Sequence, residues 1–186
     1  MSNVELFISI VDARKRQYKP RQSSLIKPWL GIENVTQSLS VRIGYIIEDF
    51  FNKLIGDKNL RDELPLIRKK RMLVDTEGNA HQIDLLGLNK GVVYHRELKC
   101  NPDLDNGKRR DTSGRDQIII TTLQQKYLQP INSCIFCPFF DTSQELPGLG
   151  KVEGLTEFID NFDLDLTVEE FKQLGRNEQI HRALLK

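Results

Sequence analysis

The sequence predicts an α/β fold: one domain in which a mixed sheet is flanked by helices in the order α, βββ, α, β, with helical additions at both ends. Three observations carry this reading. Apolar residues recur at helical spacing in residues 3–18 and 40–55, and again in the last third of the chain. Between them, segments 66–75, 80–88 and 92–99 have strand length and are separated only by the turn sequences TEGN and NKG. Later comes NSCIFCPFF (132–140), a continuous apolar run that suits a strand covered on both faces. A chain of 186 residues is enough for one domain with a real core and short for two.

Each element follows from local chemistry. Val4, Phe7, Ile8 and Val11 after a Ser2/Asn3 cap predict an amphipathic helix over 3–18. Residues 19–37, with Pro20, Pro28 and Gly31, read as irregular. A second helix runs from Ser40 to Ile55, with Gly56 placed to end it. Its apolar stripe is Ile43, Ile47, Phe50 and Leu54. The stripe beside it is Gly44, Glu48, Phe51 and Ile55, so Glu48 falls on the core-facing surface. The three strands that follow are expected to form an antiparallel meander. Residues 100–114 read as a polar loop, and a helix over 115–128 is stopped by Pro130. The tail is expected to be helical over 154–161, then over 167–174, opened by the capping box Thr167-x-x-Glu170 and closed by Gly175, and over 177–185. The predicted core is thus 40–140, with an N-terminal helix over 3–18 and a C-terminal helical segment over 151–186.

Composition excludes several classes. No apolar run approaches membrane-spanning length, and the charges of MSNVELFISIVDARKR follow its apolar part, the wrong order for a secretory signal. Three cysteines without a framework of spacings fit a reducing compartment. Cys134 and Cys137 would point to opposite faces of a strand, so they are not expected to share a zinc ion. Basic residues bunch in RKRQYKPR (14–21), RKKR (68–71) and KRRDTSGR (108–115), clusters that can meet phosphates. The net charge of +1 nonetheless argues against a self-sufficient DNA-binding protein, since those are usually strongly basic.

Asp84, Glu97 and Lys99 stand among apolar neighbours, where a charge is costly unless something pairs with it. Strand alternation puts Val93, His95, Glu97 and Lys99 on one face of 92–99 and Val92, Tyr94, Arg96 and Leu98 on the other. Pairing of 80–88 with 92–99 across NKG brings Asp84 near Glu97, and the inward-facing Glu48 is the natural third acid. Carboxylate oxygens suit Mg²⁺, which keeps several waters and binds substrate phosphate oxygens beside one or two protein carboxylates. A lysine beside such a cation is equipment for phosphodiester hydrolysis. The competing reading of the same residues is a cross-strand ion-pair network.

Asp84, twelve residues, then Glu97-Leu98-Lys99, with Glu48 on the preceding helix, resembles the motif of the PD-(D/E)XK nuclease superfamily. That is the fold of most Type II restriction endonucleases and of several resolvases and repair nucleases. The resemblance covers roughly 40–140 and departs at Ile83, where the family often has proline. It implies a restriction-endonuclease-like sheet, metal coordination by Asp84, Glu97, the Leu98 carbonyl and Glu48, and catalysis by Asp84, Glu97 and Lys99 with support from Glu48. It further implies Mg²⁺ as cofactor with Mn²⁺ as a substitute, double-stranded DNA as substrate, 5′-phosphate products and a bacterial cytoplasmic location without a membrane partner. The small size looks like the small catalytic subunit of a heterodimeric Type IIS restriction endonuclease, working with a larger DNA-recognition and nicking subunit. The alternatives are a homodimeric Type II enzyme with loops 20–38 and 100–114 in the groove, a structure-selective resolvase or repair nuclease, and a non-enzymatic assembly protein. His95, Arg109, Arg110 and Arg115 are the candidate phosphate contacts.

Overall fold

Residues 80–88, expected as one strand, form two, and the break at Ile83–Asp84 divides the β-structure into two sheets. The computed structural model describes residues 1–13, 26–31, 37–100 and 109–185. In chain order the elements are α1 (Asn3–Ala13), α2 (Ile26–Leu30), α3 (Gln37–Ile55), β1 (Leu66–Ile67), β2 (Lys70–Val74), β3 (Ala80–Gln82), β4 (Leu85–Asn89) and β5 (Val92–Leu98). Then come α4 (Arg109–Tyr127), β6 (Ile131–Phe136), β7 (Gln144–Leu146), β8 (Gly150–Glu153), α5 (Leu155–Phe162), α6 (Val168–Arg176) and α7 (Glu178–Leu185). The fold is mixed α/β, with two sheets and seven α-helices among the described residues. The small sheet, β1-β2-β3, is antiparallel. The large one runs β4-β5-β6-β8-β7, parallel where β6 meets β5 and β8 and antiparallel elsewhere.

The large sheet is covered on both faces. Against one face, Ile43, Ile46, Ile47, Phe50 and Phe51 of α3 join Leu85, Phe136, Phe158 and Phe162 in a cluster that extends through α1, α2, α6 and α7. Phe136 stacks on Phe158 with centroids 4.1 Å apart, and Phe51 meets both edge-on at 5.2 Å. Burying each such ring contributes roughly 2–3 kcal/mol. Gly87 permits the approach of α5, since a Cβ there would lie 2.6 Å from the Phe162 ring. The opposite face packs Leu86 and Val93 on Ile119 and Leu123 of α4, and Leu64, Leu73 and Ile83 tie the small sheet to the same cluster. One charge lies wholly inside: Arg96, 0% exposed, pairs bidentately with Glu153 at 2.6 and 2.7 Å.

The capping box holds as expected, with Thr167 and Glu170 exchanging hydrogen bonds at the start of α6. The NKG turn holds too: Lys90 and Gly91 both take positive φ between β4 and β5. Several boundaries differ. The first helix is described to Ala13, and residues 14–18 lie outside the described residues. Residues 26–30 are helical rather than irregular. Segment 66–75 folds on itself as a hairpin through Arg68 and Lys69, and the expected three-stranded meander is therefore split between the two sheets. Helix α4 starts at Arg109, not 115, and β6 ends at Phe136, not 140. Gly175 does not end α6 but lies inside it, because any Cβ there would collide with Trp29. Strands β7 and β8 were not expected. They are three and four residues long and are joined across Pro147 and Gly148, composition that reads as loop.

Candidate active site

The β4–β5 ladder ends at the pair Leu85–Arg96, one step short of Asp84 and Glu97. There the chain leaves the ladder. Asp84 Oδ2 accepts the backbone N–H of Leu98 at 3.1 Å, and Oδ1 accepts the Gln82 amide at 3.3 Å. Lys99, just past the end of β5, places Nζ 2.7 Å from Glu97 Oε1. Glu97 and Lys99 thus meet, and Asp84, tied to the intervening Leu98 N–H, lies within their field at the edge of the large sheet where β4 begins. Both members of the ion pair remain solvent-accessible, Lys99 at 32% and Glu97 at 14% of the side chain.

The two carboxyls differ in electrostatics. Burial raises the Asp84 pKa, and the charge of Glu97 adds to the rise, against the Leu98 N–H, Lys99 and Arg61. Burial also pushes Glu97 upward, but its hydrogen bond to Lys99 and the fields of Lys99 and Arg115 outweigh it and hold Glu97 below the ordinary range. The site therefore pairs an acid that resists ionisation with one that favours it.

A polar brace holds the break open. Asn52 of α3 donates to the Glu48 carbonyl at 2.9 Å and to the Asp84 carbonyl at 2.8 Å. Arg61 Nε donates to the Ile83 carbonyl at 2.9 Å, and its Nη2 pairs with the Glu48 carboxylate. Asn59 completes the brace, donating to the Asn52 carbonyl at 2.9 Å and accepting the Arg61 N–H at 2.8 Å. Glu48 is 7% exposed and inward-facing as expected, but its carboxylate pairs with Arg61, and it does not complete a group of three acids with Asp84 and Glu97 among the described residues. Arg61, Asn52 and Gln82 had no sequence signal: each is an ordinary polar residue whose role depends on a partner distant in the chain or in another element.

The candidate phosphate contacts fall in different places. His95 is 3% exposed, with Nδ1 2.8 Å from Ser133 Oγ. Burial, with Arg96 beside it, pushes its pKa down to about 4, so the ring is neutral at pH 7. Arg115 is exposed on α4, donates to the Gln82 carbonyl at 3.2 Å and acts on Glu97. Arg109 and Arg110 open α4, and their side chains lie outside the described residues, as do most of the loops 20–38 and 100–114. Asp116 escaped sequence reasoning because a helix assigned from 115 onward put it at a frayed end. It is half-buried, its carboxyl is raised by burial and by Glu97, and it lines a cavity of about 640 Å³ with Ser133 and Ile135. Among the described residues no cysteine forms a disulfide; Cys137 is buried and Cys134 half-buried, the Cys134 pKa raised to about 11 by burial.

As a metal site, Asp84 and Glu97 offer hard carboxylate oxygens beside the last carbonyl of β5, that of Leu98. Among the described residues no three His, Cys, Asp or Glu side chains converge. Two carboxylates suit Mg²⁺, which retains much of its water shell. No helix of the described residues is long and apolar enough to cross a membrane. Compared with protein-family models, curated proteins and solved structures, the chain matches none.

Proposed function

We propose that this chain is a metal-dependent DNA endonuclease of the PD-(D/E)XK type, hydrolysing phosphodiester bonds to leave 5′-phosphates. The reading rests on one observation above all: Asp84, one step past the last pair of the β4–β5 ladder, accepts the Leu98 N–H at 3.1 Å, and on either side of Leu98 Lys99 lies 2.7 Å from Glu97. Here the second acid is kept beside the pair at an electrostatic cost, its pKa raised.

Mg²⁺, or Mn²⁺ in its place, would supply charge neutralisation at the phosphoryl group and a more acidic water. Asp84 and Glu97 would hold it, with the Leu98 carbonyl. Lys99, kept in place by Glu97, orients the attacking water and offers a proton donor to a phosphate oxygen. Glu48 serves through Arg61, which fixes the carbonyl preceding Asp84. His95 stays neutral and supports the strand from within, leaving phosphate contact to Arg115 and to Arg109 and Arg110. The near-neutral charge favours the narrower reading, a small catalytic subunit of a heterodimeric Type IIS restriction endonuclease whose larger partner recognises DNA.

Calorimetry with Mg²⁺ and Mn²⁺ on the wild type and on Asp84→Asn tests this, with plasmid nicking in the presence of a candidate large subunit. The expected result is saturable binding and nicking by the wild type and loss of both in the variant. Equal heats and equal cleavage in the two proteins would remove Asp84 from the chemistry and the proposal with it.

A further inference from the structure

The β1–β2 hairpin turns through two residues, Arg68 (φ 50°) and Lys69 (φ 65°). Positive φ at both central positions is the pattern of a type I′ turn, which strongly prefers Asn-Gly because other side chains are strained there. Two long cations occupy it instead. Both are exposed, and neither has a partner among the described residues. The rest of the RKKR run is committed: Lys70 Nζ holds Gln82 Oε1 at 2.6 Å, and Arg71 pairs with Asp62 at 3.6 Å and the Leu64 carbonyl at 2.8 Å. Strain at a turn tip that presents only unpaired charge points to function.

The position of the tip gives that function an address. Met72 pairs with Gln82, and Ile83 N–H donates to the Arg71 carbonyl, so Lys70, the next residue, lies beside the break at Ile83–Asp84. Arg68 and Lys69 lie one or two residues beyond, roughly 3–7 Å further along the strand. A hydrogen-bonded path, Lys70 to Gln82 to Asp84, connects the hairpin to the site. On its outer side β1 has no strand neighbour among the described residues, and Leu66 is 63% exposed, so the arm projects into solvent.

We infer that the β1–β2 hairpin is an arm that grips duplex nucleic acid, with Arg68 and Lys69 seated on backbone phosphates next to the bond held at Asp84 and Glu97. This rests on the nuclease reading for its location, but binding alone tests it. Each phosphate contact releases counterions and contributes about 0.9 to the slope of log affinity against log salt.

The test is fluorescence anisotropy of a labelled duplex without divalent metal, as a function of salt. The variant is Arg68→Asn/Lys69→Gly, which removes both charges and supplies the residues a type I′ turn prefers, so its Tm should hold or rise. Lys53→Ala/Lys126→Ala, two exposed lysines elsewhere, matches the change in net charge. The arm predicts a slope shallower by about 1.8 and affinity roughly 30-fold weaker at about 0.15 M salt in the turn variant only. An unchanged slope, an equal loss in the lysine control, or no duplex binding by the wild type at low salt overturns it. Loss of metal binding in Asp84→Asn reads out separately, so the arm and the nuclease reading fail independently.

Discussion

His95 divides two accounts of the molecule: a cation waiting for phosphate, or a neutral ring inside the sheet. Its pKa falls from an ordinary 6.5 to about 4 on folding, because burial disfavours the imidazolium and Arg96 lies beside it. Between those two values the unfolded chain binds a proton that the folded chain refuses, so stability drops as the pH falls from 6.5 towards 4. Above 6.5 this group contributes no pH dependence. At about 1.36 kcal/mol per pH unit, the fall from 6.5 to about 4 amounts to roughly 3 kcal/mol, large against a typical stability of about 5–15 kcal/mol. Urea unfolding followed by the fluorescence of Trp29, the chain's single tryptophan, measures it at steps from pH 7 to pH 4. His95→Gln should be less stable at pH 7, since the Ser133 contact is disturbed, yet its deficit should shrink by about 3 kcal/mol at the acid end. The site carboxylates titrate in both proteins and cancel in the difference. Parallel loss of stability in wild type and variant, or a His95 NMR midpoint near 6.5, refutes the reasoning.

Metal binding should release protons and strengthen with rising pH, because Asp84 must ionise against burial and the charge of Glu97; calorimetry in buffers of different ionisation enthalpy counts the protons, and none released at acid pH would contradict the raised pKa. Arg61→Met should cost about 3–5 kcal/mol by taking the guanidinium away from the buried Glu48 carboxylate, and Glu48→Gln in the same chain should recover part of that loss in a double-mutant cycle. Gly154→Ala should destabilise by roughly 2 kcal/mol or more, since its Cβ would enter the Thr142 backbone, whereas Gly56→Ala meets open space and pays only for positive φ, about 1 kcal/mol. Chemical denaturation ranks the two, and a larger effect at Gly56 would count against the packing described for α5.

Helices were legible because one-sided burial writes itself into the sequence: Ile43, Ile47 and Phe50 keep their period and all lie in the core. The nearness of Asp84, Glu97 and Lys99 was legible for a related reason, since a two-residue turn at Lys90–Gly91 fixes a register whose ladder ends one step short of 84 and 97. The break at Ile83–Asp84 was not. AHQIDLLGLN contains no residue that stops a strand at that point, and what stops it is Arg61 and Asn52 taking the two carbonyls from outside. The partner of Glu48 was equally hidden, because an arginine in RDELP carries no periodicity to place it. His95 shared a face with Glu97 as alternation requires, but alternation is silent on depth, which α4 and Ser133 decide.

Asp84 has a structural duty that conditions every functional test of it. Where β4 leaves the ladder, the Leu98 N–H loses the backbone carbonyl that a continued strand would present, and a buried donor must find another acceptor. Asp84 Oδ2 is that acceptor, so the carboxylate stands in for a missing rung of the sheet while its other oxygen turns to Gln82. Asp84→Ala removes charge and acceptor together and should destabilise by about 1–3 kcal/mol. Asp84→Asn keeps a carbonyl oxygen for Leu98 and relieves the repulsion with Glu97, so its stability without metal should equal or exceed that of the wild type. Metal affinity should collapse in both. If Asn proves as destabilising as Ala, the Leu98 hydrogen bond depends on the charge itself, and the separation of scaffold from chemistry at this residue fails.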